Sequence, residues 1–299
     1  MTFPGRYKEL IQPDKLDIMS ISVLGDSMTI APGGIGLNIA YASAQLGETP
    51  ILLSAAGQDT SDYLKHLEAV GVDISNIHLS DQPSASFTAF TDTDNNQMSG
   101  FYPGAMGDSK SLNLEKWSGQ DVLFCLSAYD PDTMRRLCQQ SSELGFRLFY
   151  DPGQQVTGMD IEDLKAGIGV AELVAINEYE RSILCKRFGI SDSELESMVP
   201  TLITTKGEDG SIIGGNNVST PIEIAVAKAD KIVDPTGAGD AYRAGFLYGY
   251  LRKWDLKACG QLGATVASFV LEKSGPQTEL SKSAIVKRYK ETFNEAIDL

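Results

Sequence analysis

The chain has 299 residues, 42% apolar and 22% charged, with a formal net charge of −15. It is long enough for one large α/β domain or two smaller ones with a substantial core. Its acidity excludes a nucleic-acid or anionic-membrane surface but not a nucleotide, which backbone amides and a metal can hold inside an acidic protein. No apolar run reaches the length of a membrane span, and the start Met1-Thr2-Phe3-Pro4-Gly5-Arg6 lacks the apolar region of a signal peptide. The four cysteines (Cys125, Cys138, Cys185, Cys259) are too far apart for metal-ligand spacing. Free thiols and a cytoplasmic protein are therefore expected.

In chain order, residues 19–24, 84–93 and 97–102 alternate apolar with polar and predict antiparallel strands with one exposed face, a small lid. Asp94-Asn95-Asn96 reads as a hairpin turn between the last two. Ahead of the second run, Pro32-Gly33-Gly34-Ile35-Gly36-Leu37-Asn38 opens a helix that stops near Gly47, and a strand follows over residues 50–56. From about residue 120, strands and helices alternate. Strands are predicted at 121–126, 146–150, 171–176 and 202–205, and helices at 131–144, 178–188, 238–254 and 256–273. Such alternation predicts a mostly parallel sheet covered on both faces. Ligands then sit at the carboxyl ends of the strands, where Asp151, Asn177, Lys206 and Asp234 fall. The expected division is a lid of residues 1–31 and 82–104, and a large nucleotide-binding and catalytic domain of 32–81 and 105–299.

The most informative run is Val233-Asp234-Pro235-Thr236-Gly237-Ala238-Gly239-Asp240. It reads as a strand end (Lys231, Ile232, Val233), a glycine-rich turn and the start of an apolar helix. The amides of Gly237, Ala238, Gly239 and Asp240 would then form an anion site at a helix N-terminus. A carboxylate in such a site repels the anion unless it has a task, and taking a proton from an attacking hydroxyl is that task. The competing reading makes Asp240 a simple cap. No G-x-x-x-x-G-K-[ST] occurs, and neither glycine cluster completes G-x-G-x-x-G, which removes the P-loop and dinucleotide readings. His66, in an amphipathic helix, and His78, in a polar loop, have no metal-like or triad neighbours.

With Gly33-Gly34, Asn38, Asn177-x-x-Glu180 and D-P-T-G-A-G-D in view, nearly the whole chain resembles the ribokinase-type (PfkB) small-molecule kinases. Phe3-Pro4-Gly5-Arg6-Tyr7, Phe101-Tyr102-Pro103-Gly104-Ala105-Met106 and Asp151-Pro152-Gly153-Gln154-Gln155 bring it nearest to bacterial and archaeal adenosine or nucleoside kinases. The resemblance implies a three-layer α/β/α domain with a mostly parallel sheet and a small antiparallel β lid. It implies transfer of the γ-phosphate of ATP, with Mg²⁺ and a role for K⁺, to a nucleoside 5′-hydroxyl, adenosine first. Asp240 would be the catalytic base, with the amides of Gly237, Ala238 and Gly239 as the anion hole. Asn177 and Glu180 would organise Mg²⁺ through water, although a helix cap and its capping-box partner have the same spacing. Thr205, Lys206, Gly207 and Gly210 would flank ATP. Gly263, Ala264 and Ala267 would admit the adenine, or else mark close helix packing. Gly33, Gly34 and Asn38 would line the sugar, Phe87 and Phe101 would sandwich the base, and Gln154 and Gln155 would hydrogen-bond base or ribose. Asp234 and Thr236 would contribute to a monovalent-cation site.

Relatives begin with a buried strand carrying an aspartate that holds the sugar hydroxyls, whereas this sequence starts just after that position. Asp14, Asp17 and Asp26 are poor stand-ins, and a start upstream of Met1 is the expectation. Gly158 stands where some adenosine kinases carry an arginine. A sugar kinase acting on ribose or fructose and a non-catalytic nucleoside-binding protein are the alternatives. The expected assembly is a monomer or a homodimer through the lid.

Overall fold

The computed structural model describes residues 1–18, 20–94 and 96–299. In chain order the elements are α1 (Tyr7–Leu10), α2 (Ile35–Gln45), β1 (Ile51–Gly57), α3 (Ser61–Ala69), β2 (Asp73–Ser80), β3 (Ser86–Thr91) and β4 (Gln97–Tyr102). Then come β5 (Leu123–Ser127), α4 (Pro131–Glu143), β6 (Arg147–Asp151), α5 (Ile161–Val170), β7 (Leu173–Asn177), α6 (Glu178–Phe188), α7 (Asp192–Ser197) and β8 (Thr201–Thr205). The chain ends through β9 (Ser211–Gly214), β10 (Ile222–Ile224), α8 (Ala238–Leu251), α9 (Leu256–Val270) and α10 (Lys282–Phe293).

The central sheet runs β10-β9-β8-β7-β6-β5, parallel from β5 to β8 and antiparallel at β9 and β10. Its middle strands are continuous apolar runs because helices cover both faces. Phe149, Leu173, Ala175 and Ile203 pack under α2, α8, α9 and α10, while Leu148, Tyr150, Val174 and Leu202 pack under α4, α5, α6 and α7. β1 and β2 form a separate parallel pair, and β3 and β4 an antiparallel hairpin. Among the described residues no helix is long and apolar enough to cross a membrane.

Local chemistry sets the element ends. Pro131 opens α4 behind the cap Asp130, whose side chain accepts from Thr133 N–H. Asn177 and Glu180 form a full capping box on α6, and Gly189 closes that helix in the left-handed conformation. α8 is buried over most of its circumference, from Ala241 to Gly249. It lies so close to α9 that a Cβ on Gly245 would sit 2.9 Å from Gly263 Cα.

Three expectations are corrected. Residues 20–24 form no strand, and Met19 lies outside the described residues. The edge of β3 that such a strand would pair with is taken by the chain start. Phe3 N–H donates to Thr91 O (3.2 Å), Thr91 N–H to Met1 O (2.9 Å), and the terminal amine to Ala89 O (3.0 Å). With that ladder filled, Leu24 remains 86% exposed. Residues 231–233 are not a strand end either, because Val233 N–H is drawn to Leu271 O (2.7 Å) at the end of α9. His78 belongs to β2 rather than to a loop, paired with Ala55 of β1. The expected hairpin turn includes Asn95, which lies outside the described residues. Asp14, Asp17 and Asp26 are exposed.

The crossing of α8 and α9 leaves no room for a methyl group at Gly245. Gly245→Ala is expected to lower stability by about 1–3 kcal/mol through overpacking, read as a lower midpoint in a denaturant melt. An unchanged midpoint would show that the two helices can separate at little cost.

Candidate functional site

Gly237 is the N-cap of α8; its φ of +81° favours glycine, and a Cβ on it would fall 2.5 Å from Pro276 Cβ. Asp234 pins the turn before it, with Oδ1 accepting from Thr236 N–H and Oδ2 from Gly275 N–H, both at 2.9 Å. Ala238 N–H donates to Pro235 O at 3.2 Å. The four amides read from the sequence as one concavity are therefore unequal: Ala238 is engaged within the turn, while Gly237, Gly239 and Asp240 keep N–H groups with no backbone acceptor. Free amides at the N-terminus of a fourteen-residue helix attract an anion.

Asp240 stands at the third position of α8, partly buried. Its Oδ2 accepts a hydrogen bond from Asn38 Nδ2 (2.8 Å). Arg243, one turn on along the same helix face, runs under the glycine turn, its Nη1 being 2.8 Å from where a Cβ on Gly239 would lie. Its Nη2 donates to Asp151 Oδ1 at 2.8 Å, and Asp151 is fully buried at the end of β6. Arg243 Nε lies equally close to Asp151 Oδ2 (2.8 Å) but out of line, so both atoms stay buried with charge contact and no hydrogen bond. Burial raises the Asp151 carboxyl, against the pull of Arg243. Burial also pushes Asp240 up to about 6, with the Arg243 charge and the Asn38 hydrogen bond pulling it back.

A second strand of contacts reaches the site from segments far apart in sequence. Gln277 Nε2 donates to Asn38 Oδ1 (3.2 Å) and to the Tyr63 hydroxyl (2.6 Å), and that hydroxyl points to Gly33 O at 3.5 Å. Gly33 is exposed, and Gly34 caps α2 with a φ of +97°. Asn38 is thereby committed at both ends of its amide, to the base candidate and to Gln277.

The other sequence-predicted residues are distributed as follows. Asn177 Oδ1 accepts from Glu180 N–H (2.8 Å) and Glu180 Oε2 from Asn177 N–H (2.7 Å), which leaves Glu180 Oε1 free of hydrogen bonds. Burial raises the Glu180 carboxyl. Among the described residues no three His, Cys, Asp or Glu side chains cluster as a metal site. A single free carboxylate oxygen suits Mg²⁺, which keeps waters and binds through one or two carboxylates together with substrate phosphates. Thr205, Lys206, Gly207 and Gly210 make the turn from β8 to β9, closed by Lys206 N–H on Gly210 O (2.8 Å). A hollow of about 310 Å³ beside it is lined by Lys206, Asp209, Ser211 and Glu223 among others. Gly263 packs against the Tyr242 carbonyl, while Ala264 and Ala267 lie partly open on α9. Gln155 Nε2 is bonded to Tyr129 O (2.6 Å), and Gln154 is exposed. Phe87 and Phe101 sit opposite one another across the β3–β4 hairpin, 65% and 54% exposed.

The sequence reading missed Arg243, Tyr63 and Gln277. For Arg243 a signal existed: a lone cation, three residues after Asp240, in an otherwise apolar helix start needs a buried partner. Nothing local marks Tyr63 or Gln277.

Comparison with known proteins now adds to this geometry. Residues 10–283 match the model of the pfkB family carbohydrate kinases. The nucleoside kinase of Methanothermobacter thermautotrophicus is 35% identical over 263 residues, covering 86% of this chain and 84% of that protein. The Burkholderia thailandensis nucleoside kinase in complex with inosine superposes with a TM-score of 0.88 at 31% identity, covering 99% of this chain and 95% of that one. The same enzyme has been solved with ADP and inosine. Ribokinase from Thermotoga maritima, 19% identical over 97% of this chain and 95% of its own, shares the fold with a TM-score of 0.79.

Raising the Asp240 carboxyl from 3.8 to about 6 has a consequence for stability. The fold favours the protonated form, so that contribution is complete below about pH 4 and lost as pH rises through about 6. Above it the charged carboxylate costs up to about 3 kcal/mol. Asp240→Asn is therefore expected to be more stable than wild type at about pH 8 and no more stable at about pH 4 in denaturant melts. Equal stability of the two proteins at both pH values would mean that Asp240 is not held in a charge-disfavouring place.

Proposed function

The chain belongs to the pfkB family of carbohydrate kinases, which makes it a kinase that phosphorylates a hydroxyl group, and we propose that its acceptor is the 5′-hydroxyl of a nucleoside, adenosine first. The observation that carries this reading is Asp240, a carboxylate held by Asn38 at a helix N-terminus whose Gly239 and Asp240 amides are free. ATP is the phosphoryl donor, in keeping with the ADP complex of the Burkholderia relative. In the proposed step the 5′-oxygen attacks the γ-phosphorus while its proton passes to Asp240. The bond from γ-phosphorus to the bridging oxygen breaks, and ADP leaves. Charge growing on the phosphoryl oxygens is taken up by the free amides, which are oriented before the reaction begins.

Mg²⁺ bound with the nucleotide would neutralise phosphate charge, and Glu180, whose Oε1 carries no hydrogen bond, would meet its water shell. Asn177 serves by holding Glu180. Both Asp234 oxygens already accept hydrogen bonds, and no step is assigned to a monovalent cation. Phe87 and Phe101 support a nucleoside over a free sugar. Had they been core residues they would be covered, and instead both rings are open to a planar base. The inosine complex of the relative supports a purine.

The test is ADP release from Mg-ATP with adenosine, inosine, guanosine, cytidine, ribose and fructose as acceptors. Nucleosides should be turned over ahead of ribose and fructose, and Asp240→Asn should lose roughly 10²–10⁴ in kcat. Because the base must be ionised, kcat/KM should fall as pH drops through about 6. Phe87→Ala should raise the nucleoside KM by roughly tenfold, the scale of one base–aromatic stack. Faster turnover of a free sugar, or full activity in Asp240→Asn, would reject the reading.

A further inference from the structure

The loop after α9 touches the site three times. Gly275 N–H holds Asp234, Pro276 fills the space beside Gly237, and Gln277 reaches Asn38. Resting on the reading of Asp240 as general base, we propose that Gln277 is a positioning residue: it sets which end of the Asn38 amide faces Asp240.

An asparagine amide presents a donor at one end and an acceptor at the other. If Asn38 turned over, its Oδ1 would meet the Asp240 carboxylate oxygen with no proton between them. Gln277 Nε2 can only donate. By bonding Asn38 Oδ1 it commits Nδ2 to Asp240 Oδ2, and so fixes the carboxylate with its other oxygen free. Gln277 is itself held by the Tyr63 hydroxyl, which accepts from the same nitrogen at 2.6 Å. Among the described residues its Oε1 is buried without a hydrogen-bond partner. The two contacts bridge 239 positions to Asn38 and 214 to Tyr63. They join the loop after α9 to the two helices beside the acceptor glycines.

The test is a double-mutant cycle in steady-state kinetics: wild type, Asn38→Ala, Gln277→Met and the double variant. Gln277→Met should lower kcat by roughly 10–100-fold, the scale for residues that orient a reacting group through another, with KM for ATP and nucleoside unchanged. In the Asn38→Ala background the same change should add less than about twofold, because its route to Asp240 is gone. A full kcat loss in both backgrounds, an unchanged kcat, or a loss confined to the nucleoside KM would overturn the proposal. Gln277→Glu is the second variant should the methionine protein not fold. Its carboxylate would accept from Asn38 Nδ2 and turn the amide away from Asp240, so it should show the same kcat loss, and wild-type kcat there would also overturn it. Asp240→Asn assayed alongside separates the two ideas, since full activity in that variant removes the base reading whatever Gln277 does.

Discussion

A negative charge held where a more negative ligand must arrive is the constraint on which this site depends. Asp240 opposes any phosphate at the α8 N-terminus, and burial opposes its own ionisation. Two features act against both. The Arg243 guanidinium lies beneath it, paired to the fully buried Asp151, and Asn38 donates to it from α2. Removing one member of a buried pair costs about 3–5 kcal/mol because the other is left uncompensated. Exposed pairs such as Lys65–Asp62 are worth at most about 1 kcal/mol. The Arg243–Asp151 pair is thus a buried ion pair that ties the end of β6 to the helix carrying Asp240.

That pair explains features of the fold with no evident link to chemistry. Arg243 can pass beneath the turn because position 239 has no side chain, and Gly237 allows Pro276 to close over it. Gly245 and Gly263 bring α8 against α9, so that the helix carrying Asp240 is anchored on the sheet face formed by Phe149, Leu173 and Ala175. Glycines at the turn admit a cation and an anion, and glycines at the crossing let α8 and α9 pack closely.

How far these features were legible depended on whether their cause was local. The sequence reads residues 178–188 as a helix with the observed bounds, and Asn177 and Glu180 at capping-box spacing mark its start. The parallel strands announced themselves as apolar runs because both their faces are covered. β2 did not, since Asp73–Ser80 is polar and largely half-buried, paired on one side only with β1. The third lid strand failed because a long-range event decided it: the chain start took the edge of β3. At the site, the glycine turn and Asp240 could be read in one short window. Gln277, 239 residues from Asn38, belongs to the site only through tertiary contact. The sequence places Asn38 among the residues expected to line the sugar. Its contacts with Asp240 and Gln277 add to that expectation, and no local pattern holds them.

The most direct measurement is the titration of the Asp240 carboxyl itself, followed by carbon-13 NMR and assigned by its loss in Asp240→Asn. A midpoint near 6 that moves upward when Arg243 is replaced by Gln is the expected result, since burial raises the group and Arg243 restrains it. A midpoint in the ordinary aspartate range near about 4, indifferent to Arg243, would contradict it and leave Asp240 as a helix cap.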